Sequence, residues 1–292
     1  MPINFGWLTP FKLQPTPVDT EKRVAEISSF WQAHKNSNLR IRSFALRDWR
    51  LTAQAVVNHL LLPRLEVRLS DASQAQAIER ALKRRWLPFI TICSIGACVL
   101  PIPANPSEYS MGSSKQTLRR KVRAAQKAGV TWRSVDDPAE QHELVALFHR
   151  VLPTKSRSRY RNFADHSFLV GIGPWTVAYG PSGDPLVIAI TPYDGEWALL
   201  QGFVSVGETQ LHSDARYLLT QVIVERLSVM GVRYLADSTS PHHLSAGLWH
   251  FHRMIGFSMA RVQVVRSDVQ SSSPLKMPAL HSGLLCLAQT GF

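Results

Sequence analysis

Toward the end of the chain, "VRYLADSTSPHHLSAGLWHFHRMIGF" (residues 232–257) gathers Asp237, His242, His243, His250 and His252 in one short span. A carboxylate that can orient an imidazole is proton-handling chemistry, because histidine titrates close to working pH. His250 and His252 stand about 200° apart on a helix, so they do not share a face as two metal ligands would. Asp237 closes a strand-like run, and polar residues at strand ends are where α/β sheets take their ligands. Asp237 is therefore expected to position substrate or move protons, with His242, His243 and His252 as relay candidates. The competing account makes Asp237 a helix cap and the histidines plain surface.

A second feature is "SSKQTLRRKVRAAQKAGV" (113–130), with six Lys or Arg among the thirteen positions from Lys115 to Lys127. Leu118, Val122 and Ala125 recur at i, i+4 and i+7, an apolar stripe that docks the helix on a core. Lys115, Arg119 and Arg123 lie four residues apart on one line and, with Arg120, present guanidinium and ammonium groups to solvent or to phosphates. Like charges at that spacing cost stability unless an anion answers them. A solvated, solubilising face is the alternative.

Other signatures are missing from the sequence. There is no nucleophile elbow, no phosphate-binding P-loop, no H-E-x-x-H and no glycine-rich dinucleotide fingerprint; Gly171-Ile172-Gly173 is only a G-x-G. Most hydrolase and kinase readings fall away.

The elements that must hold these residues alternate between helix and strand. A helix is predicted from Asp19, with Val24, Ile27, Phe30 and Trp31 at helical spacing, then a strand at "LRIRSFAL" and a helix over 51–61. "RLEVRLS" reads as a strand and 72–85 as a helix capped by Asp71 or Ser73. Residues 87–104, "LPFITICSIGACVLPIPA", read as two buried strands bent at Gly96, with Pro88, Pro101 and Pro103 arguing against a membrane span. After the basic helix come the strand "VTWRSV" and a helix capped by Asp137 with Pro138 at its first position. Three strands follow, "WTVAYG", "PLVIAITPY" and "WALLQGFVSV", then a helix over 212–230 ended by Gly231. The strand "VRYLAD", a short helix around "SAGLWHFHRMIG" and the strand "FSMARVQVV" complete a mixed α/β sheet flanked by helices.

The 292 residues are 45% hydrophobic and 18% charged, a composition that folds, and 33 Lys and Arg against 21 Asp and Glu give +12. Such a field favours polyanions over cationic partners. Cys93, Cys98 and Cys286 show no metal spacing and suit a reducing cytoplasm, and "MPINFGWLTPFK" lacks the pattern of a secretory signal.

Three stretches together resemble the FemAB-like branch of the GNAT acyltransferase superfamily. "EYSMGSSKQTLRRKVRAAQKAGVTWRSV" is similar to the segment that opens that family's second lobe. "YLLTQVIVERLSVMGVRYLADST" matches its helix and strand at Leu218, Leu219, Ile223, Gly231, Tyr234 and Asp237, and "GLWHFHRMIGF" its ending at Gly247, Leu248, Phe251, Gly256 and Phe257. The resemblance spans residues 108–258. It implies a GNAT-like fold with a mostly antiparallel sheet in two lobes: a degenerate one over 1–107, an acyltransferase lobe over 108–266, and a tail over 267–292. It implies amide-bond formation between an activated acyl group and an amine, with aminoacyl-tRNA as donor. The amine is that of a small molecule or a peptide. An acyl-CoA or carrier-protein thioester is the second donor, no tightly bound cofactor or metal is expected, and a non-catalytic RNA-binding or scaffold module is the third reading.

On this resemblance Lys115, Arg119, Arg120, Arg123 and Arg253 hold donor phosphates, while Gln201, Phe203, Tyr217 and Trp249 line the substrate pocket. Two departures bear on the donor. His252 stands where the family carries lysine, and "SVGETQLHSDARY" lacks the glycines with which acetyl-CoA enzymes wrap a pyrophosphate.

Overall fold

The structure, a computed structural model, describes residues 17–87, 90–91, 93, 96–155, 166–239 and 246–266. Three helices lead: α1 (Pro17–Ser37), α2 (Ile41–Arg47) and α3 (Trp49–Leu60). The α2 segment is where a strand was expected. Ile41, Phe44 and Ala45 sit at i, i+3 and i+4, and Phe44 is buried edge-on to Phe30, with ring centroids 5.6 Å apart. One buried aromatic on a helical period outweighs a weak alternation. Val24, Ile27, Phe30, Trp31, Phe44, Ala55 and Leu62 form the core of this layer, which closes on Met259.

Next come β1 (Arg64–Leu69), α4 (Ser73–Leu82), β2 (Arg85–Leu87), β3 (Ile90–Thr91) and β4 (Ala97–Pro101). Neither Asp71 nor Ser73 caps α4, whose N-cap is Ala72 with no side-chain cap bond. Ser70 takes the place instead: its Oγ accepts from the Ala72 N–H at 3.2 Å and donates to Asp194 at 2.8 Å. The apolar stretch over 87–104, expected as two strands, holds the last residue of β2, then β3, which pairs antiparallel with β2, and β4.

The remaining elements are α5 (Gln116–Lys127), β5 (Thr131–Ser134), α6 (Pro138–Val151), β6 (Trp175–Tyr179) and β7 (Pro185–Ile190). They continue with β8 (Tyr193–Asp194), β9 (Trp197–Leu200), β10 (Gly202–Ser205), α7 (Gln210–Val229), β11 (Tyr234–Asp237), α8 (Ala246–Ile255) and β12 (Ser258–Arg266). Asp137 caps α6 as expected, accepting from the Ala139 N–H. The apolar stripe of α5 is buried at Leu118, Val122 and Ala125.

Six strands form one sheet in the order β1-β12-β4-β11-β9-β8, and four form another in the order β10-β7-β6-β5. Among the described strands only β1 with β12 and β9 with β11 run parallel, so the fold is a mixed, mostly antiparallel α/β architecture. Strands β1 and β4 come from the first 107 residues and sit in the same sheet as β9, β11 and β12. Both halves of the chain thus share one buried surface.

The run "WALLQGFVSV" does not stay in one sheet. Trp197–Leu200 lies parallel to β11, whereas Gly202–Ser205 pairs antiparallel with β7. The chain crosses at Gln201, whose N–H donates to Ile190 O at 3.0 Å. Gly202 permits the crossing, since a Cβ there would stand 3.2 Å from Ile190 Cδ1. The two sheets part here, and β11 ends at Asp237, opposite Leu200, where they part.

The turn before β6 is equally tight. Gly173 has φ +71°, and a Cβ would meet Pro192 Cα at 2.6 Å. Gly173→Ala therefore combines a disfavoured backbone with a clash against backbone, and a loss of about 2 kcal/mol is expected in denaturant unfolding.

Candidate active site

At the split, Asp237 Oδ2 lies 2.9 Å from His252 Nε2, with the imidazole 2% and the carboxylate side chain 9% exposed. The sheet delivers Asp237 from the end of β11, and α8 delivers His252 from its second turn. Asp237 is held from its other side by the Thr239 N–H, which donates to Oδ1 at 2.5 Å. Ser238 ties the same strand end to its neighbour, its N–H donating to Leu200 O and its Oγ to Gln201 O, both at 3.3 Å. His252 stacks on Phe257 with centroids 4.8 Å apart. The Asp237 contact places a proton on Nε2, and Nδ1 is buried with no partner among the described residues. A carboxylate-fixed tautomer of this kind leaves the second nitrogen as the proton acceptor.

Two further groups complete this region. Gln201 Oε1 is buried without a partner among the described residues, an acceptor oxygen at the point where the sheets diverge. Beneath the pair, Cys98 is fully enclosed; burial, then the charge of Asp237, pushes its thiol well above the usual range, so it stays protonated and inert. β10 is an edge strand of its sheet, so alternate backbone N–H groups on it lie outside the ladder.

Above the pair is an aromatic wall. Phe203 and Phe251 stack at 6.1 Å, Tyr217 meets Phe251 edge-on at 5.0 Å, and Arg216 lies 4.2 Å from the Phe251 ring centroid. Arg216 is a site residue that sequence reasoning missed. It sits in a helix of apolar spacing, and only its place in the second turn of α7, beside Tyr217, could have marked it. Around the start of α7 it is joined by His212 and Lys155. Burial is the main cause that lowers the pKa of each, and Lys155 further depresses His212 while Arg216 further depresses Lys155, with Glu208 opposing. Lys155 Nζ donates to Gly207 O at 3.3 Å. A Cβ on Gly207 would fall 2.4 Å from the His212 ring, so the imidazole fills the space over the turn that precedes the helix.

The basic helix α5 lies against both site helices. Lys121 pairs with Asp214 of α7 at 2.8 Å, and Lys115 Nζ donates to Ile255 O, the end of α8, at 2.7 Å. Tyr109 donates to the same carbonyl. Arg119 is turned onto the carbonyls of Ser110 and Gly112. Lys115 and Arg119 therefore spend donors on the fold, whereas Arg120, Arg123 and, on α8, Arg253 are exposed with no ion pair among the described residues. Trp249 is half-buried and bridges the central core to the α1–α3 layer. His242 and His243 lie outside the described residues. Among the described residues no His, Cys, Asp and Glu cluster could hold a metal.

Burial lowers the Lys115 pKa from 10.5 to about 8. The native state then binds fewer protons than the unfolded chain between about pH 8 and 10.5. The Lys115 contribution is unfavourable below pH 8 and is relieved as pH rises across that window. Lys115→Met removes the titration, so the difference in unfolding midpoint between variant and parent should shrink or reverse in the parent's favour from pH 8 to 10.5.

No protein-family model matches this chain, and no curated protein matches it in sequence. Solved structures do align. FemX aligns with TM-score 0.44 and 12% identity, over 57% of this chain and 59% of that chain. L-PGS from Bacillus licheniformis aligns with TM-score 0.40 and 13% identity, over 57% and 59%. The C-terminal DUF2156 domain of a putative lysylphosphatidylglycerol synthetase from Agrobacterium fabrum gives 0.40 and 13%, over 56% and 58%. The chain thus spans about three-fifths of the length of these proteins. No helix among the described residues is long and apolar enough to cross a membrane.

Proposed function

We propose that the chain is an acyltransferase that forms an amide bond at the Asp237–His252 pair, drawing its acyl group from a polyanionic donor, aminoacyl-tRNA. The observation that carries this reading is the 2.9 Å contact between two buried, ionisable side chains at the parting of two sheets. Amide formation requires an amine to lose a proton as it attacks an ester carbonyl. In this reading the new C–N bond forms as the ester C–O bond breaks, the amine proton passes to His252 Nδ1, and it leaves on the ribose hydroxyl released from the tRNA. Asp237 keeps the imidazole in the accepting tautomer. Gln201 Oε1 is suited to receive the second N–H of the amine, and open amides on β10 to receive the developing oxyanion.

The donor assignment rests on charge and shape. Lys155 and Arg216 stand at the start of α7 beside the aromatic wall, and Arg120 and Arg123 extend the positive surface along α5. The His212 ring over Gly207 supports a donor other than acyl-CoA, because it occupies the space in which a glycine-rich turn would wrap a pyrophosphate. Filter binding of bulk tRNA tests the reading: retention at low salt that falls steeply with salt is expected. No retention, or heat on titration with coenzyme A, contradicts it. Binding of tRNA with no amide product from any donor would leave a binding module.

A further inference from the structure

Helix α3 has two apolar faces, and the fold uses one. Leu51, Ala55 and Asn58 turn toward the α1–α3 core, followed by Leu62. Trp49, Ala53, Val56, Val57 and Leu60 fall on the opposite side, since the twelve residues from Trp49 to Leu60 make a little over three turns. That second face is open: Trp49 is 62%, Val56 51%, Val57 53% and Leu60 59% exposed, and Leu46 (81%) and Leu61 extend it at both ends. Single exposed apolar residues are ordinary; one helix face that carries four large ones, with further exposed leucines in the segments next to it, marks an interaction surface.

The charge around the stripe identifies what it meets. Arg40 at the N-cap of α2 and Arg42, Arg47 and Arg50 on the two helices are all exposed; Asp48, paired with Arg47 at 2.8 Å, is the one acid on these helices, and Glu26 of α1 is taken up by the amides of Gln54 and Asn58. Arg50 lies 5.5 Å from the Trp49 ring, so an aromatic ring and a cation occupy the same margin of the patch. A second copy packed face to face would set arginines against arginines. A bilayer interface answers both features at once, taking leucine, valine and tryptophan into the acyl boundary and the flanking guanidinium groups onto anionic headgroups.

We infer that the α2–α3 face is a membrane-surface docking site selective for anionic phospholipid, on which the protein lies without spanning. This inference is independent of the reading of the Asp237–His252 site. Flotation of the full chain with vesicles tests it, using phosphatidylcholine alone or phosphatidylcholine with about a third phosphatidylglycerol. Partition onto the anionic vesicles is expected, with little onto the neutral ones. Val56→Ser with Leu60→Ser should weaken it about tenfold or more, and Arg42→Gln with Arg50→Gln severalfold. All four side chains face solvent, so an unchanged unfolding midpoint is expected and separates lost docking from lost fold. The inference fails if the parent chain ignores anionic vesicles or if partition is indifferent to both pairs of substitutions. It also fails if the chain forms a concentration-dependent dimer that Leu60→Ser dissolves, since a second copy would then cover the face.

Discussion

Asp237→Asn should slow acyl transfer by about 10³-fold or more while leaving tRNA retention and the unfolding midpoint close to those of the parent chain. The carboxylate touches His252 Nε2 at 2.9 Å and also accepts the Thr239 N–H. An amide in its place is of similar size and still accepts one hydrogen bond. It no longer holds the imidazole in the tautomer that leaves Nδ1 basic, and it removes the charge that offsets an imidazolium. Rapid-quench measurement of label leaving charged tRNA for an alkali-stable product gives the rate. If the pair merely ties α8 to β11, the substitution would lower stability, and transfer at permissive temperature would be near normal.

The second large effect is expected on donor binding. Arg216→Gln with Lys155→Gln should weaken tRNA binding by about tenfold to a hundredfold and lower the slope of log affinity against log salt by about two. Arg216 stands over the Phe203 and Phe251 rings and electrostatically opposes Lys155 across the start of α7. Burial is the main cost of holding Lys155 there, the nearby Glu208 charge offsets part of it, and an incoming phosphate would add to that offset. Titration of tRNA binding against salt for the double variant and for Arg123→Gln separates the two regions. The α5 substitution should change the slope by about one at most.

Much of the architecture could be read from the order of residues, and the failures have physical causes. The stripe Leu118, Val122 and Ala125, the Asp137 cap and the glycine stops were local signals that the tertiary structure had no reason to override. The α2 helix was missed because arginines at 40 and 42 mimic alternation around a segment whose real anchor is one residue, Phe44. The division of "WALLQGFVSV" at Gln201 could not be seen, because both halves are apolar and only the partners of each strand differ. In the site, Asp237 and His252 were each visible as candidates by residue type. Their contact depends on where β11 ends relative to α8, which no spacing rule fixes. Arg216 escaped because its neighbours spell a core helix. Lys115 and Arg119, counted as anion ligands by sequence, are bound to backbone carbonyls of Ile255, Ser110 and Gly112, a use of cations that charge pattern alone does not reveal.

The amide product itself is the most direct test of the proposed chemistry. A pool of tRNA charged with labelled amino acids, incubated with the full chain and a small-molecule extract as amine source, should yield label in an alkali-stable, ribonuclease-resistant amide identifiable by mass spectrometry. Label that remains ester-linked to tRNA, together with the same amide appearing when acyl-CoA is supplied instead, would contradict the tRNA-dependent reaction at Asp237 and His252.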